Sequence, residues 1–244
     1  MVNHGEGKFS EVINQANTNI NEIDFYLSQI NEKIKQYQTC VIPAEEKTID
    51  ATIKKNYQKL KTKVNTCKES LCNAIRKIET EYSGKDAQIR EKLVSLLSNL
   101  KSKTVEMQEA YERYNKILKN KVVRQVKLID LEGNMNEAKI RKEIDSNPDT
   151  VGKLIQNKIM GKASNKLKNT AQDIIEKCDS IKILQRNVKD LLGMIMEISE
   201  IMKLQTGKIE AISENVFEAK AKMIKANDNL VRAKKHQQSA KCVL

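Results

Sequence analysis

The chain has 244 residues, a net charge of +12, 31% charged residues and only 4% aromatic residues. So few aromatics exclude a sheet-rich domain and point to long helices with a core of Leu, Ile, Val and Ala. Cys40, Cys67, Cys72, Cys178 and Cys242 have no CxxC or framework spacing, and His4 and His236 lie far apart. A zinc or disulfide scaffold is thereby excluded, and a reducing compartment is expected.

Residues 1–7 are polar, contain Gly5 and Gly7, and are expected to form a flexible tail. A first helix is predicted from Phe9 or Ser10. Its stripe runs Phe9, Val12, Ala16, Ile20, Ile23, Leu27, Ile30, Ile34, Tyr37, in steps of three and four. Pro43 ends it, because proline cannot continue a helix and restricts the residue before it. The second helix is predicted from Glu45 to Tyr82, with the stripe Ile53, Tyr57, Leu60, Val64, Cys67, Leu71, Ala74, Ile78. Cys67 lies on that stripe, which makes it a core residue rather than a reactive thiol. Ser83-Gly84 is a stop signal.

The third helix is predicted from Asp86, with Ile89, Leu93, Leu96, Leu100, Met107, Ala110, Tyr114 and Ile117 on one face. Lys103 interrupts this stripe with Thr104 beside it, and Leu97, Leu118 and Val122 widen it. Such a face suits a helix packed between two neighbours. Three stripes joined by short turns predict an antiparallel three-helix bundle over residues 8–125. Residues 126–172 read as a linker with short helical turns, capable of moving. Gly133, Pro148, Gly152 and Gly161 punctuate it, and helix resumes near Lys168.

Residues 173–236 carry the strongest pattern. Ile181, Leu184, Val188, Leu191, Ile195, Ile198, Met202, Gln205, Ile209, Ile212, Val216, Ala219, Met223, Ala226, Leu230 and Ala233 follow one another in alternating steps of three and four. Every position is apolar except Gln205. A 3.5-residue repeat is the signature of supercoiling helices, and one buried amide within it fixes register at a cost in stability. The same helix carries Gly193 and Gly207, each costing about 1 kcal/mol relative to Ala. It is therefore expected to order fully only when something covers its seam. The predicted fold class is all-α: an antiparallel three-helix bundle, a linker and a long C-terminal coiled-coil helix.

The stretch LQTGKIEAISENVFEAK, Leu204 to Lys220, resembles a SNARE motif, through Gln205, Gly207, Ile209, Ile212, Asn215 and Val216 in that order. The whole chain resembles a syntaxin, a Qa-SNARE. Gln88-Ile89-Arg90 is similar to the family's start of the third helix, and Ser146-Asn147-Pro148 to its short Asn-Pro stretch. The resemblance implies an N-terminal three-helix domain and a helix that joins Qb-, Qc- and R-SNARE helices in a parallel four-helix bundle. That assembly would drive vesicle docking and membrane fusion in intracellular transport or exocytosis. Gln205 would be the central polar layer, facing two further glutamines and an arginine, and the fifteen apolar positions the core layers. The resemblance further implies a Sec1/Munc18-type regulator and a place on the cytosolic face of a target membrane, plasma membrane or endomembrane. Residues 237–244 would be a juxtamembrane segment ahead of an expected tail anchor that this chain does not contain. Arg232, Lys234, Lys235 and Lys241 would then face anionic lipid, each charge contributing about 1 kcal/mol near the surface.

Two further expectations concern use. The three-helix domain is expected to fold back and shield part of the seam, since a helix of this length outruns the bundle. The alternative is a tethering coiled coil that homodimerises through residues 181–233 with a spectrin-like bundle. No phosphate loop, nucleophile elbow or metal-ligand cluster is present in the sequence. Neither an enzyme, a cofactor, a nucleic acid nor a small-molecule substrate is called for.

Overall fold

A computed structural model describes the backbone of residues 4–81, 87–129, 136–159 and 164–241, and the side chains of 9–80, 87–129, 136–157 and 164–226. It is all-α. Three long helices, α1 (His4–Thr39), α2 (Pro43–Glu81) and α3 (Ala87–Ile129), are followed by two short ones, α4 (Glu137–Ser146) and α5 (Pro148–Ile159). A single 77-residue helix, α6 (Asn165–Lys241), completes the chain.

The α1–α3 bundle forms because each helix buries the stripe read from its sequence. Ile23, Ile30, Ile53, Leu60, Val64, Leu71, Leu93, Leu97, Leu100 and Leu118 are among its fully or nearly fully buried side chains. Aromatics sit at two levels of the core. Tyr37 meets Tyr114 edge-on at 5.1 Å, and Tyr57 meets Tyr111 at 4.4 Å, both within the range of favourable T-shaped pairs. Cys67 is buried, its Sγ 3.9 Å from the Ala16 carbonyl, and burial pushes its thiol up to about 11. It is a packing residue, as its place on the stripe implies.

The interruption at Lys103 resolves into a division of labour. Thr104 takes the buried position and donates to the Leu100 carbonyl at 2.7 Å. That bond satisfies the hydroxyl inside the helix's own backbone, so the seam stays dry. Lys103 turns outward to Asp24 of α1 at 2.6 Å and to Glu106 at 3.1 Å.

Two expectations require correction. The flexible tail expected over 1–7 is helical from His4 onward. Gly5 and Gly7 lower helix propensity by about 1 kcal/mol each but still offer their backbone hydrogen bonds to a helix that propagates from the covered turn at Phe9. The bundle and linker boundary at 125/126 also falls inside an element. α3 runs on to Ile129 because Val126 and Ile129 are themselves buried.

The expected mobile linker contains α4 and α5, and both are packed. Ile140 and Ile144 of α4 and Val151 and Ile155 of α5 are each spaced four apart and buried. Asn136 caps α4 by accepting from the Ala138 amide at 2.9 Å. Asn147 ends α4 and accepts from the Asp149 amide at 3.1 Å, while Pro148 supplies the first residue of α5. Helices of 10 and 12 residues are too short to persist alone, so their order derives from contact with α3 and α6. Ser83-Gly84, Gly133 and Gly161 lie outside the described residues.

The two core tyrosines of α3 make opposite demands. Tyr114 donates to Asp50 Oδ1 at 2.6 Å, whereas the Tyr111 hydroxyl is buried with no partner among the described residues. Removing a bonded hydroxyl strands a carboxylate partner; removing an unbonded one relieves a desolvation cost. In urea unfolding, Tyr114→Phe is expected to lose about 1–3 kcal/mol, and Tyr111→Phe to be neutral or to gain up to about 1 kcal/mol.

Candidate functional site: the docking face of α6

α6 lies against α3 and is flanked by α2 and α5. Its orientation follows from its cross-helix pairs. Against α2, partner numbers rise together: Lys47 with Glu176 at 2.8 Å, Lys61 with Asp190 at 2.6 Å, Lys68 with Glu197, and Glu79 with Lys208. Against α3 they run oppositely, from Gln125 with Asp173 to Arg90 with Gln205. α6 is therefore parallel to α2 and antiparallel to α3.

The register against α2 is constant. The Lys61, Lys68 and Lys208 pairs all span 129 residues. Lys47, Lys54, Lys61 and Lys68 recur every seven residues on α2, the period at which a helix in a supercoil re-presents one flank. Lys54 reaches Ser180 Oγ at 2.8 Å, and the Tyr57 hydroxyl donates to the Asn187 carbonyl at 3.3 Å. The Lys47 hydrogen bond holds the Glu176 carboxyl below its usual range, and the Lys208 hydrogen bond, then that of Gln205, does the same for Glu79. Each exposed pair is worth little alone. Their common spacing excludes a slip of one residue, which breaks all of them together.

Between the flanks runs the apolar seam. Ile174, Cys178, Ile181, Leu184, Leu191, Met194 and Ile198 are buried, and Val188, Ile195 and Met202 are half-buried. Burial pushes the Cys178 thiol up to about 12. Gln205 is 4% exposed. Beyond it coverage fails: Ile209 and Ile212 are half-buried, Ala219 and Ala226 are exposed, Val216 is 59% exposed and Met223 72% exposed. Phe217 and Ile224 are exposed beside them. The reason is geometric. α2 ends at Glu81, and at a fixed register its last turn lies opposite Lys208, so no later turn of α2 covers the positions beyond.

The α6 helix continues through Leu230, Arg232, Ala233, Lys234, Lys235 and Lys241, whose side chains lie outside the described residues, as does Cys242. Gly193 and Gly207 sit within the helix, and a Cβ at either would meet nothing within 4 Å. Neither glycine is required by packing in this arrangement.

The upper end of the seam is polar in a way the sequence reading missed. Lys177 is 4% exposed and joins Glu46 of α2 at 2.9 Å and Asp173 one turn back on α6. Lys121 of α3 meets the same Glu46, accepts no bond itself, and donates to the Cys40 carbonyl at 2.6 Å while lying 4.7 Å from the Tyr37 ring. Ser180 faces Asp50 at 3.4 Å. Burial, then the Glu46 charge, raises the Tyr37 phenol; burial, then the Asp50 charge, raises that of Tyr114. Both tyrosines therefore stay neutral. Such a cluster adds little net stability but strongly penalises the loss of any one member. The signal was present as Asp173, Lys177 and Ser180 at i, i+4 and i+7 on the same face as Ile174 and Ile181. The seam likewise begins earlier than Ile181, since Ala171, Ile174 and Cys178 extend it by three positions.

Among the described residues no group of three or more His, Cys, Asp or Glu could hold a metal ion, and no helix is long and apolar enough to cross a membrane.

No family model and no curated protein matches this chain. Among solved structures, a chain in the crystal structure of the Unc18-syntaxin 1 complex from Monosiga brevicollis is similar in shape. It is 14% identical, over 86% of this chain and 88% of that one, with a TM-score of 0.48. A likeness that loose assigns neither an activity nor a partner.

The charge ladder predicts a specific coupling. Lys61→Glu and Asp190→Lys should each lower stability, and the double exchange should recover about 0.5 kcal/mol of it. A double-mutant cycle on urea unfolding checks this, and the coupling should shrink at high salt.

Proposed function

We propose that α6 is an assembly helix of the syntaxin kind: a Qa-SNARE helix that joins Qb-, Qc- and R-SNARE helices in a parallel four-helix bundle to drive vesicle docking and membrane fusion. The observation that carries the proposal is the sixteen-position ladder with Gln205 as its lone polar member. Gln205 is buried, and the positions after it leave Val216 and Met223 bare. A 3.5-residue apolar ladder exposed to water is unfavourable by about 25 cal/mol per Å² until another helix covers it. In the assembled bundle Gln205 would align with polar side chains of its partners, because an unpartnered buried amide costs about 1–3 kcal/mol.

On this reading the α1–α3 bundle is a regulatory domain and residues 173–236 are the assembly motif. The arrangement described above is then the resting, self-shielded form. Its first half must leave the α2–α3 face before partner helices can take the same positions. A Sec1/Munc18-type regulator would act on that step. The basic positions Arg232, Lys234, Lys235 and Lys241 would lie at the cytosolic face of an anionic target membrane.

Mixing the chain with Qb-, Qc- and R-type SNARE helices tests the proposal. A heteromeric complex that survives detergent is expected, and Gln205→Leu should change its stability more than Lys203→Ala does. A chain that instead forms a tight homodimer through 181–233, with no uptake of the other helices, would overturn the proposal and favour a tether.

A further inference from the structure

Gln205 is the one ladder residue whose burial needs explanation by polar contact, and both ends of its amide are bonded. Arg90 Nη1 of α3 donates to Gln205 Oε1 at 2.8 Å. Gln205 Nε2 donates to Glu79 Oε1 of α2 at 3.2 Å. Arg90 is only 6% exposed, and the same Nη1 lies 4.0 Å from Glu79. Lys208, about one turn on along α6, engages Glu79 from the outer side. A donor on one wall and an acceptor on the other match the two ends of a primary amide. Leucine would satisfy neither wall. Glutamate would gain Arg90 but face Glu79.

We infer that the C-terminal end of α2 and the N-terminal end of α3 form a carboxamide-binding site, built from Glu79 and Arg90, that captures Gln205 and latches α6 onto the bundle. The site selects a glutamine at one position rather than apolar surface in general. It occupies the last rung before coverage ends, where the next positions of α6 leave the bundle. Its regulatory sense rests on the reading of α6 as an assembly helix: the amide that partner helices would align with is the amide the latch holds, so the two uses exclude one another. The site itself does not depend on that reading.

The latch reverses an ordinary expectation. Replacing a buried amide in an apolar seam by leucine normally tightens packing. Here it removes the acceptor that the buried Arg90 guanidinium finds among the described residues, and Glu79 at 4.0 Å lies beyond hydrogen-bond reach of it. A bond from a charged donor is among the stronger ones, so each half of the latch should influence opening by about tenfold or more, equivalent to about 1.4 kcal/mol.

The test uses the whole chain alone, by NMR, following the amides of Ile198 to Ile209 and the Gln205 side-chain NH2. Arg90→Ala, Glu79→Ala and Gln205→Leu should each raise the open population of this segment about tenfold or more, with amides of the α1–α2 turn unchanged and Lys203→Ala without effect. The Gln205 side-chain signal should move toward its free position in Arg90→Ala. If Gln205→Leu holds the segment more tightly, or if Arg90→Ala and Glu79→Ala leave it docked, the latch is wrong. Should Arg90→Ala fail to fold, the Glu79 and Gln205 variants decide. Adding SNARE helices to the opened variants then separates the two claims. Opening without faster uptake would count against the assembly reading and leave the carboxamide site standing.

Discussion

The structure depends on a single constraint: α6 must lie on α2 and α3 in one register. The polar pairs across the interface share that register. Lysines spaced seven residues apart on α2 meet Glu176, Asp190 and Glu197 on α6. Lys177 enters the Glu46 site, and Gln205 reaches Arg90. Apolar layers alone would tolerate a slip of seven residues, because Ile181, Val188, Ile195 and Met202 are all apolar. The lysine pairs repeat every seven residues and would re-form in part, so Lys177 at Glu46 and Gln205 at Arg90 are the contacts that oppose it.

The same interface is suited to being undone. Its apolar middle contributes most of the favourable free energy, while the flanking pairs are partly exposed and screened by salt. The ends of the seam are set differently from the middle. At one end a buried network of Lys177, Glu46, Asp173 and Lys121 must be kept whole. At the other, one amide is held between two charged side chains. Past that amide the ladder continues for eight more positions, with Val216 and Met223 in water. The helix therefore has one set of positions satisfied within the chain and a second set left in water. That division gives the proposed assembly both a resting state and a drive.

Much of this was legible in the sequence. The apolar stripes of α1, α2 and α3 and the first half of that of α6 are largely buried as their spacing implies, Cys67 included, because a 3.5–3.6 period leaves little choice of face. Thr104 and Lys103 show where periodicity alone falls short: a threonine could take the seam because its hydroxyl found the Leu100 carbonyl. α4 and α5 were hidden because they are short and owe their order to α3 and α6, a tertiary effect that local pattern does not carry. The polar partners were hidden for another reason. Arg90, Glu79, Glu46 and Lys177 look like ordinary surface charges, and only the fixed register of α2 against α6 brings them to their partners. The lysine spacing on α2 and the acidic spacing on α6 held that register in plain view, but as two separate patterns with no sequence-level link.

The most direct measurement of this account is amide hydrogen exchange along α6 in the isolated chain. Residues 174–205 should exchange slowly, at rates comparable with the core of α1–α3, and protection should fall sharply between 209 and 216. Uniformly fast exchange along all of α6, or protection that continues unchanged through residue 226, would contradict it.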